Sequence, residues 1–217
     1  MTGDRLGDAL AQIAAALQLP VLLAAVGVLL LCALELGRFA SEAWQRRARA
    51  RHGGSLRELA RRAVAQPGSA AELARAAPTT FAASALLQLV AARSAGRARA
   101  VEHALADYEL AAQRRLDRTR LLVRAGPAIG LMGTLIPLAP GLAALGRGDV
   151  AELAGDLRVA FAATVVGLLV GTVAFALTLA RTRMYGEDLT ALERAAEAAL
   201  PDTASYPLAA PPVEVRS

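Results

Sequence analysis

Lysine is absent from the chain, and cysteine, histidine and aromatic residues are scarce. All 24 basic residues are arginine, the one cysteine is Cys32, the two histidines are His52 and His103, and 4% of residues are aromatic. A single cysteine cannot form an intramolecular disulfide, so a disulfide-stabilised scaffold is excluded. Two histidines and one cysteine cannot supply a conventional zinc site on one chain. The sequence therefore predicts no metal and no cofactor.

Apolar residues, in contrast, are abundant. The 217 residues are 55% hydrophobic and 20% charged, and the mean hydropathy is +0.41. This much apolar content with so few aromatics is typical of membrane helices rich in alanine, leucine and valine. It excludes disorder as the main state and a collagen-like chain. The net charge of +5 would suit a nucleic-acid binder, but the distribution of the charges argues against a nucleic-acid partner.

Three stretches are long and apolar enough to cross a bilayer, which takes about 20 residues. They are residues 17–37, 125–146 and 157–180. Arg158 stands at the start of the third stretch, and residues 159–180 carry no charge. The sequence therefore predicts an all-α integral membrane protein with three transmembrane helices and a lipid bilayer as its surroundings.

The arginines predict the orientation of these spans. Segment 38–124 carries 17 arginines and seven acidic residues, whereas residues 1–14 and 146–158 each have a net charge of −1. Because arginines that flank a membrane stay in the cytoplasm, we expect the N-terminus outside and 38–124 in a long cytoplasmic helical extension. Residues 147–156 then form a short outer loop. The arginines follow the first span, so it is predicted to be an uncleaved anchor.

Helical patterns extend beyond the spans. Leucines and Ile13 at helical spacing predict an amphipathic outer helix over residues 1–16, which either lies on the membrane surface or extends the first span. From 79 to 124, an apolar stripe predicts one long helix that runs directly into the second span. Residues 181–217 are predicted to be a cytoplasmic helix and a disordered tail. Turns are expected at Gly53-Gly54, Pro67-Gly68 and Pro78.

Spans two and three carry small residues at positions where close helix packing is expected. Lipid gives no hydrophobic driving force between helices, and glycines let two backbones approach closely enough for other contacts to form. The glycines singled out for this role are Gly130, Gly133, Gly167 and Gly171.

Prolines and threonines are the other unusual residues of these spans. Pro137 and Pro140 each remove a backbone donor and free a carbonyl, which predicts a kink that serves either gating or shape-matching. Thr134 and Thr164 are the central polar positions. A threonine in a membrane helix commonly bonds its own backbone, and lining a polar path is the alternative role.

Spans two and three contain no Asp, Glu, His or Lys in their interiors. A proton path through a membrane needs a titratable relay, and carboxylates are the usual one. Glu35, near the cytoplasmic end of span one and three residues before Arg38, is predicted to form an interfacial ion pair. If the protein conducts protons, another chain supplies the carboxylate. No nucleophile–base pair or metal cluster stands in or beside the spans, so no enzymatic activity is expected.

Two motifs in these spans point to a known family. They are Gly130-Leu-Met-Gly-Thr134 and Ala160-Phe-Ala-Ala-Thr164-Val-Val-Gly167. At these motifs and in its predicted topology, segment 125–180 resembles the MotA/TolQ/ExbB proton-channel family. ExbB- and TolQ-type members have a glutamate five residues before the second threonine, where this sequence has Val159, and MotA-type members lack it. The sequence is thus identified as an outlying member.

The resemblance implies a pentamer of this chain around a dimer of single-span partners of the MotB/TolR/ExbD type, whose helices carry a protonatable aspartate. It also implies that Thr134 and Thr164 line the pore near that aspartate. The expected function is a subunit of a stator or energiser complex in the cell inner membrane, driven by the proton-motive force. The alternative is a non-conducting membrane scaffold with the same oligomeric fold.

Overall fold

The computed structural model of the chain describes residues 2–51, 56–65 and 81–197, and all regular structure in this part is helical. Five α-helices follow one another: α1, Thr2–Arg51; α2, Leu56–Ala65; α3, Phe81–Ser94; α4, Ala98–Gly146; and α5, Val150–Glu197. The prediction of an all-α chain is confirmed for the described residues. The predicted turns at Gly53-Gly54, Pro67-Gly68 and Pro78 and the tail after Pro201 lie outside them.

Three of these helices, α1, α4 and α5, are long and apolar enough to cross a membrane. The predicted spans 17–37, 125–146 and 157–180 each lie within one of them. Many of their large apolar side chains are exposed on the chain, among them Leu23, Leu135 and Phe161, each at least 60% exposed. Apolar surface on this scale requires lipid or other protein around it.

Each candidate span is part of a longer helix. Helix α1 is continuous from Thr2, so residues 2–16 extend the first span, which is one of the two arrangements expected for this segment. Helix α4 continues through Pro127, Pro137 and Pro140. A membrane helix tolerates proline where neighbouring helices cover the freed carbonyl groups.

The single helix predicted over residues 79–124 was wrong, because this segment forms parts of two helices. Between the end of α3 and the start of α4, Gly96 has a φ of +66°. The Arg97 N–H donates to the Ala92 carbonyl at 3.0 Å and closes a Schellman motif, which favours glycine at the positive-φ position. A lone glycine gave too weak a sequence signal for this break. Helix α4 does run directly into the second span, as predicted.

The same type of turn joins α4 and α5. Gly148 has a φ of +82°, and the Asp149 N–H donates to the Ala144 carbonyl at 2.9 Å. Oδ1 of Asp149 then accepts a hydrogen bond from the Glu152 N–H at 2.9 Å and caps α5. The irregular connection is therefore confined to residues 147–149, and residues 150–156 of the predicted loop 147–156 are helical.

The chain divides into two compact units. The first, called the span unit below, consists of Met1–Ala48 and Ala111–Tyr185, and the second consists of Arg49–Leu110 and Gly186–Ser217. In the second unit, the rings of Phe81 and Tyr108 stack with centroids 4.6 Å apart. The Tyr108 hydroxyl donates to Oδ2 of the buried Asp188 at 3.4 Å. All the predicted site residues lie in the span unit.

Candidate functional site

Helices α4 and α5 meet along a line of buried glycines, called the glycine seam below: Gly126, Gly130 and Gly133 on α4, and Gly167 and Gly171 on α5. A Cβ atom added to Gly126 would lie 2.8 Å from the carbonyl oxygen of Gly167. A Cβ atom on Gly167 would lie 2.6 Å from the carbonyl oxygen of Gly126 and 2.7 Å from the Cα of Gly130. At these distances the two backbones pack directly against each other.

The two helices run antiparallel along the seam. Gly126 lies opposite Gly167, Gly133 opposite Ala163, and Gly141 opposite Asp156. The approach brings Cα–H groups of one helix near carbonyl oxygens of the other, where they form weak hydrogen bonds. Small residues supply the packing that holds helices together in lipid. The predicted glycines Gly130, Gly133, Gly167 and Gly171 are therefore brought together at one interface.

Pro127 of α4 is packed against the seam. A Cβ atom on Gly171 would lie 2.8 Å from Cγ of Pro127, and 3.5 Å from the carbonyl oxygen of Val123. That carbonyl is the one that Pro127 deprives of its helical donor, and it faces α5. Pro137 is buried, whereas Pro140 is exposed. The kink at Pro137 and Pro140 stays a prediction; Pro127 was not singled out from the sequence.

Thr134 and Thr164 stand beside the seam and are half-buried. Thr134 follows Gly133, and Thr164 follows Ala163; a Cβ atom on Gly133 would lie 2.6 Å from the Cβ of Ala163. Successive residues of a helix are rotated by about 100° around its axis. Because the two helices are antiparallel, the residue after each contact turns toward the same side of the seam. The two predicted site residues therefore share one side of the α4–α5 pair.

Helix α1 packs on the other side of the seam. Its residues Val28 and Cys32 form a core cluster with Leu122, Val170 and Ala174. Two further residues packed against this cluster, Ile129 and Val166, directly precede the seam glycines Gly130 and Gly167. Because the residue before a glycine turns the opposite way from the residue after it, the α1 side is not the threonine side.

The threonine side is exposed on the chain and largely apolar. Leu131 and Leu168, which directly follow Gly130 and Gly167, are 60% and 56% exposed. Along 125–146 and 159–180 the sequence has no charged side chain. Thr172, which directly follows Gly171, is also exposed on this side. A partner or a second copy that met this side would find these threonine hydroxyl groups in an otherwise apolar wall.

The threonine hydroxyls bond their own helices. Oγ1 of Thr134 donates to the Leu131 carbonyl at 2.7 Å, and Oγ1 of Thr164 donates to the Ala160 carbonyl at a long 3.5 Å. This is the common behaviour of threonine in a membrane helix. Each oxygen keeps two lone pairs, with which it can accept a hydrogen bond from water or a protonated carboxyl group. The hydroxyls can therefore hydrogen-bond to a group that carries a proton, but they cannot themselves be the group that is protonated and deprotonated.

Glu35, the acid within span one, is buried in ion pairs. Nη1 of Arg38 donates to Oε1 at 3.0 Å, which confirms an ion pair at Glu35; its place at the membrane interface stays a prediction. Nη1 of Arg181 on α5 donates to Oε2 at 2.7 Å. Sequence reasoning missed this second partner. The signal was there, because Arg181 directly follows span three on the membrane side predicted for the end of span one.

One turn further along α5, Tyr185 lies beyond the third span and meets α1 again. Its hydroxyl donates to Oε2 of Glu42 at 3.5 Å. Burial raises the pKa of the Tyr185 hydroxyl, and the Glu42 carboxylate raises this pKa further. The hydroxyl therefore keeps its proton and remains a donor. Within the described residues, no group of three His, Cys, Asp or Glu side chains could hold a metal ion.

Comparison with known protein families matches residues 71–194 to the MotA/TolQ/ExbB proton channel family. This match covers more than half of the 217 residues and is wider than the resemblance seen over 125–180. The chain belongs to this family. Comparison with curated proteins and with solved structures gives no match. With three apolar helices and this family, the chain is a multi-pass membrane protein.

The MotA/TolQ/ExbB match includes the whole glycine seam and both threonines. It also includes Arg181 and Tyr185 on α5. Helix α1, with Glu35 and Glu42, precedes the matched residues. The seam thus lies wholly within the matched residues, whereas the polar contacts between α1 and α5 join a matched helix to one outside the match.

Proposed function

We propose that the chain is the channel-type subunit of a stator or energiser complex driven by the proton-motive force. Five copies form a collar around a dimer of single-span partners of the MotB/TolR/ExbD type, whose helices carry the protonatable aspartate. The collar lies in the cytoplasmic membrane of a bacterium or archaeon, with the N-terminus outside and the arginine-rich segment 38–124 inside. The subunit is not an enzyme, uses no cofactor and binds no nucleic acid.

The observation that carries the proposal is an acid-free seam with two hydroxyls on one exposed side. Protons crossing at Thr134 and Thr164 need a titrating group, and spans two and three supply none. A partner aspartate on the threonine side would have both hydroxyls as hydrogen-bond acceptors and an apolar wall that excludes bulk water. Each proton that crosses supplies about 2.3 kcal/mol per 100 mV for the work of the complex.

The arrangement of α1 supports the same reading. Because α1 packs on the side of the seam opposite the threonines, a collar that turns the threonines inward turns α1 outward, toward lipid. Leu23 and Leu30 of α1, which are 63% and 59% exposed, suit that contact. The exposed Leu131 and Leu168 then meet the partner helices or the neighbouring subunit.

A second candidate function is a non-conducting scaffold that keeps the oligomeric fold. Val159 favours it, since this position holds a glutamate in the ExbB- and TolQ-type members that the sequence resembles. The scaffold would keep the same seam within each subunit and would give the threonine hydroxyls no role beyond bonding their own helices.

Proton flux separates the two candidates. The chain is reconstituted in liposomes with the single-span protein encoded beside it, and flux is followed with a pH-sensitive dye under an imposed membrane potential. We expect flux that depends on the partner. Thr164→Val removes the hydroxyl without changing the side chain's shape and is expected to reduce flux at least about tenfold, the cost of about one lost hydrogen bond in a dry path.

Thr178→Val is the matched control. It makes the same change about four turns further along α5, at a residue that is half-buried like Thr164 but follows no seam glycine, and whose hydroxyl bonds the Ala174 carbonyl at 2.8 Å. It is expected to leave flux unchanged. No flux from an intact complex of chain and partner would favour the scaffold. Equal flux in the wild type and Thr164→Val would contradict the pore-lining role.

A further inference from the structure

We propose that Glu35 and Arg181 form a charge-neutral lock that fixes α1 to α5, and that Glu35 is a positioning residue with no part in proton transfer. That Glu35 takes no part in proton transfer rests on the proposed function, whereas the fixing of α1 to α5 is independent of it. Glu35 is the acid that a search for a proton carrier within the spans of this chain would first select. Its buried ion pair with Arg181 indicates a structural role instead.

The pair is deeply buried and joined by more than one contact. The side chains of Arg181 and Glu35 are 5% and 9% exposed. Besides the 2.7 Å contact between Nη1 and Oε2, Nη2 of Arg181 lies 3.4 Å from the backbone carbonyl oxygen of Glu35 and donates to it. One arginine therefore binds both the side chain and the backbone of the same residue on α1, which restricts rotation as well as separation of the helices.

A second contact two turns further along α1 fixes the alignment of the helices. Glu42, seven residues after Glu35, accepts from Tyr185, four residues after Arg181. Arg46 holds Glu42 in place through a 3.2 Å ion pair within α1. Two contacts at different heights define both the axial position and the rotation of α1 against α5.

The charge balance explains why Glu35 is unsuited to carry protons. Arg181 is 4% exposed, and its Nε is buried without a hydrogen-bond partner in the part of the chain that the structure describes. The Glu35 carboxylate, 2.7 Å away, is thus the counter-charge of this buried guanidinium group. A carrier must become neutral in each cycle, and protonated Glu35 would leave Arg181 charged and uncompensated in a buried site. Glu35 therefore remains ionised while α1 is in place.

Single substitutions test the lock through thermal unfolding of the purified complex in detergent, followed by circular dichroism. Glu35→Gln leaves the buried Arg181 without its counter-charge, and we expect it to lower the unfolding midpoint by about 10 °C. Arg181→Gln removes the contact between the helices but leaves Glu35 paired with Arg38, so we expect a smaller decrease of about 5 °C. Arg183→Gln is the matched control, because Arg183 lies two residues beyond Arg181, is exposed and has the same charge. We expect no shift for the control. A wild-type midpoint for Glu35→Gln would overturn the lock.

The double variant Glu35→Met/Arg181→Met separates positioning from proton transfer. It removes both charges and fills the site with apolar side chains of similar length, so no buried charge remains unpaired. We expect a midpoint within about 3 °C of wild type and flux within twofold of wild type. A double variant as unstable as the single ones would overturn the lock. A stable double variant that loses flux, when the wild type conducts, would show that the carboxylate carries protons.

The two proposals fail in distinguishable ways. If the wild type itself conducts nothing with its partner, the proposed function fails. The unfolding midpoints of the four variants then still decide whether Glu35 and Arg181 hold α1 and α5 together.

Discussion

The seam requires glycine because a larger side chain would not fit between the helices, and not because the backbone there has a positive φ. Within the described residues, a positive φ occurs at Gly96 and Gly148, which close the two helix-ending turns, and at no seam glycine. At the seam the demand comes from the neighbouring helix: its backbone lies less than 3.0 Å from a Cβ atom on Gly126 or Gly167, and the Cβ of Ala163 lies 2.6 Å from a Cβ atom on Gly133. Two glycine populations with different physical roles therefore occur in the same chain.

Gly167→Ala tests the role of space. Its Cβ atom would lie 2.6 Å from the Gly126 carbonyl oxygen, which is backbone and cannot turn aside, so the helices must separate. We expect a loss of about 1–3 kcal/mol in the free energy of unfolding, measured in detergent. Gly27→Ala is the control in span one, where no atom lies within 4 Å. It is expected to be neutral or to gain up to about 1 kcal/mol. Equal effects of the two substitutions would contradict direct backbone packing at the seam.

The sequence predicted the residues of the seam better than the partners of the charges. Glycines at four-residue spacing and hydroxyls beside them follow the period of one helix, so they can be read from a linear pattern. The pair of Glu35 with Arg181 joins residues 146 positions apart. No local pattern contains that contact. The predicted orientation of the spans brings both residues to one membrane side, but their adjacency depends on which helices pack together.

At the scale of whole helices, each predicted span lies within one helix, but the helices are longer than the spans predicted from the sequence. Apolar length marks only the part of a helix that lipid would cover. The backbone hydrogen bonding of α4 and α5 continues for more than 40 residues in each, through segments whose side chains are charged. The break at Gly96 was missed for the opposite reason, because an apolar stripe continues on both sides of it although the backbone turns.

Trp44 on α1 offers a direct measure of where span one ends. It is the one tryptophan of the chain, is 77% exposed, and follows the predicted end of the span by seven residues, or about 10 Å of helix. Tryptophan favours the boundary between lipid and water. We expect its fluorescence in liposomes to be quenched more strongly by lipids brominated near the headgroup than by lipids brominated near the chain end.

A relocated tryptophan is the control for that measurement. In Trp44→Phe/Leu30→Trp the fluorophore moves to a residue that is 59% exposed and lies seven residues, or about 10 Å of helix, inside the predicted end of the span. Deeper bromine atoms should then quench it more strongly than shallow ones. If Trp44 and the relocated tryptophan gave the same depth profile, the predicted end of the span at residue 37 would be wrong.

At the scale of the whole molecule, charge and apolar surface are separated along the chain. The arginine excess is concentrated in segment 38–124, and the exposed apolar side chains are concentrated in three helices. In such a chain the arginines set the orientation in the membrane, and the apolar helices favour insertion into the bilayer. What one chain lacks is a titrating group on the threonine side of the seam, so the proposed conduction is a property of an assembly.

The proposed assembly contains five copies of the chain. We expect native mass spectrometry of the complex to give five times the 22.4 kDa chain mass, plus two copies of the single-span partner. A collar is needed because the threonine side is apolar apart from its hydroxyls, and a single chain would turn those hydroxyls toward lipid without a proton carrier. A monomeric chain that still conducted with its partner would contradict the collar. A stable ring that excluded the partner would leave Thr134 and Thr164 without a titrating neighbour and would favour the scaffold.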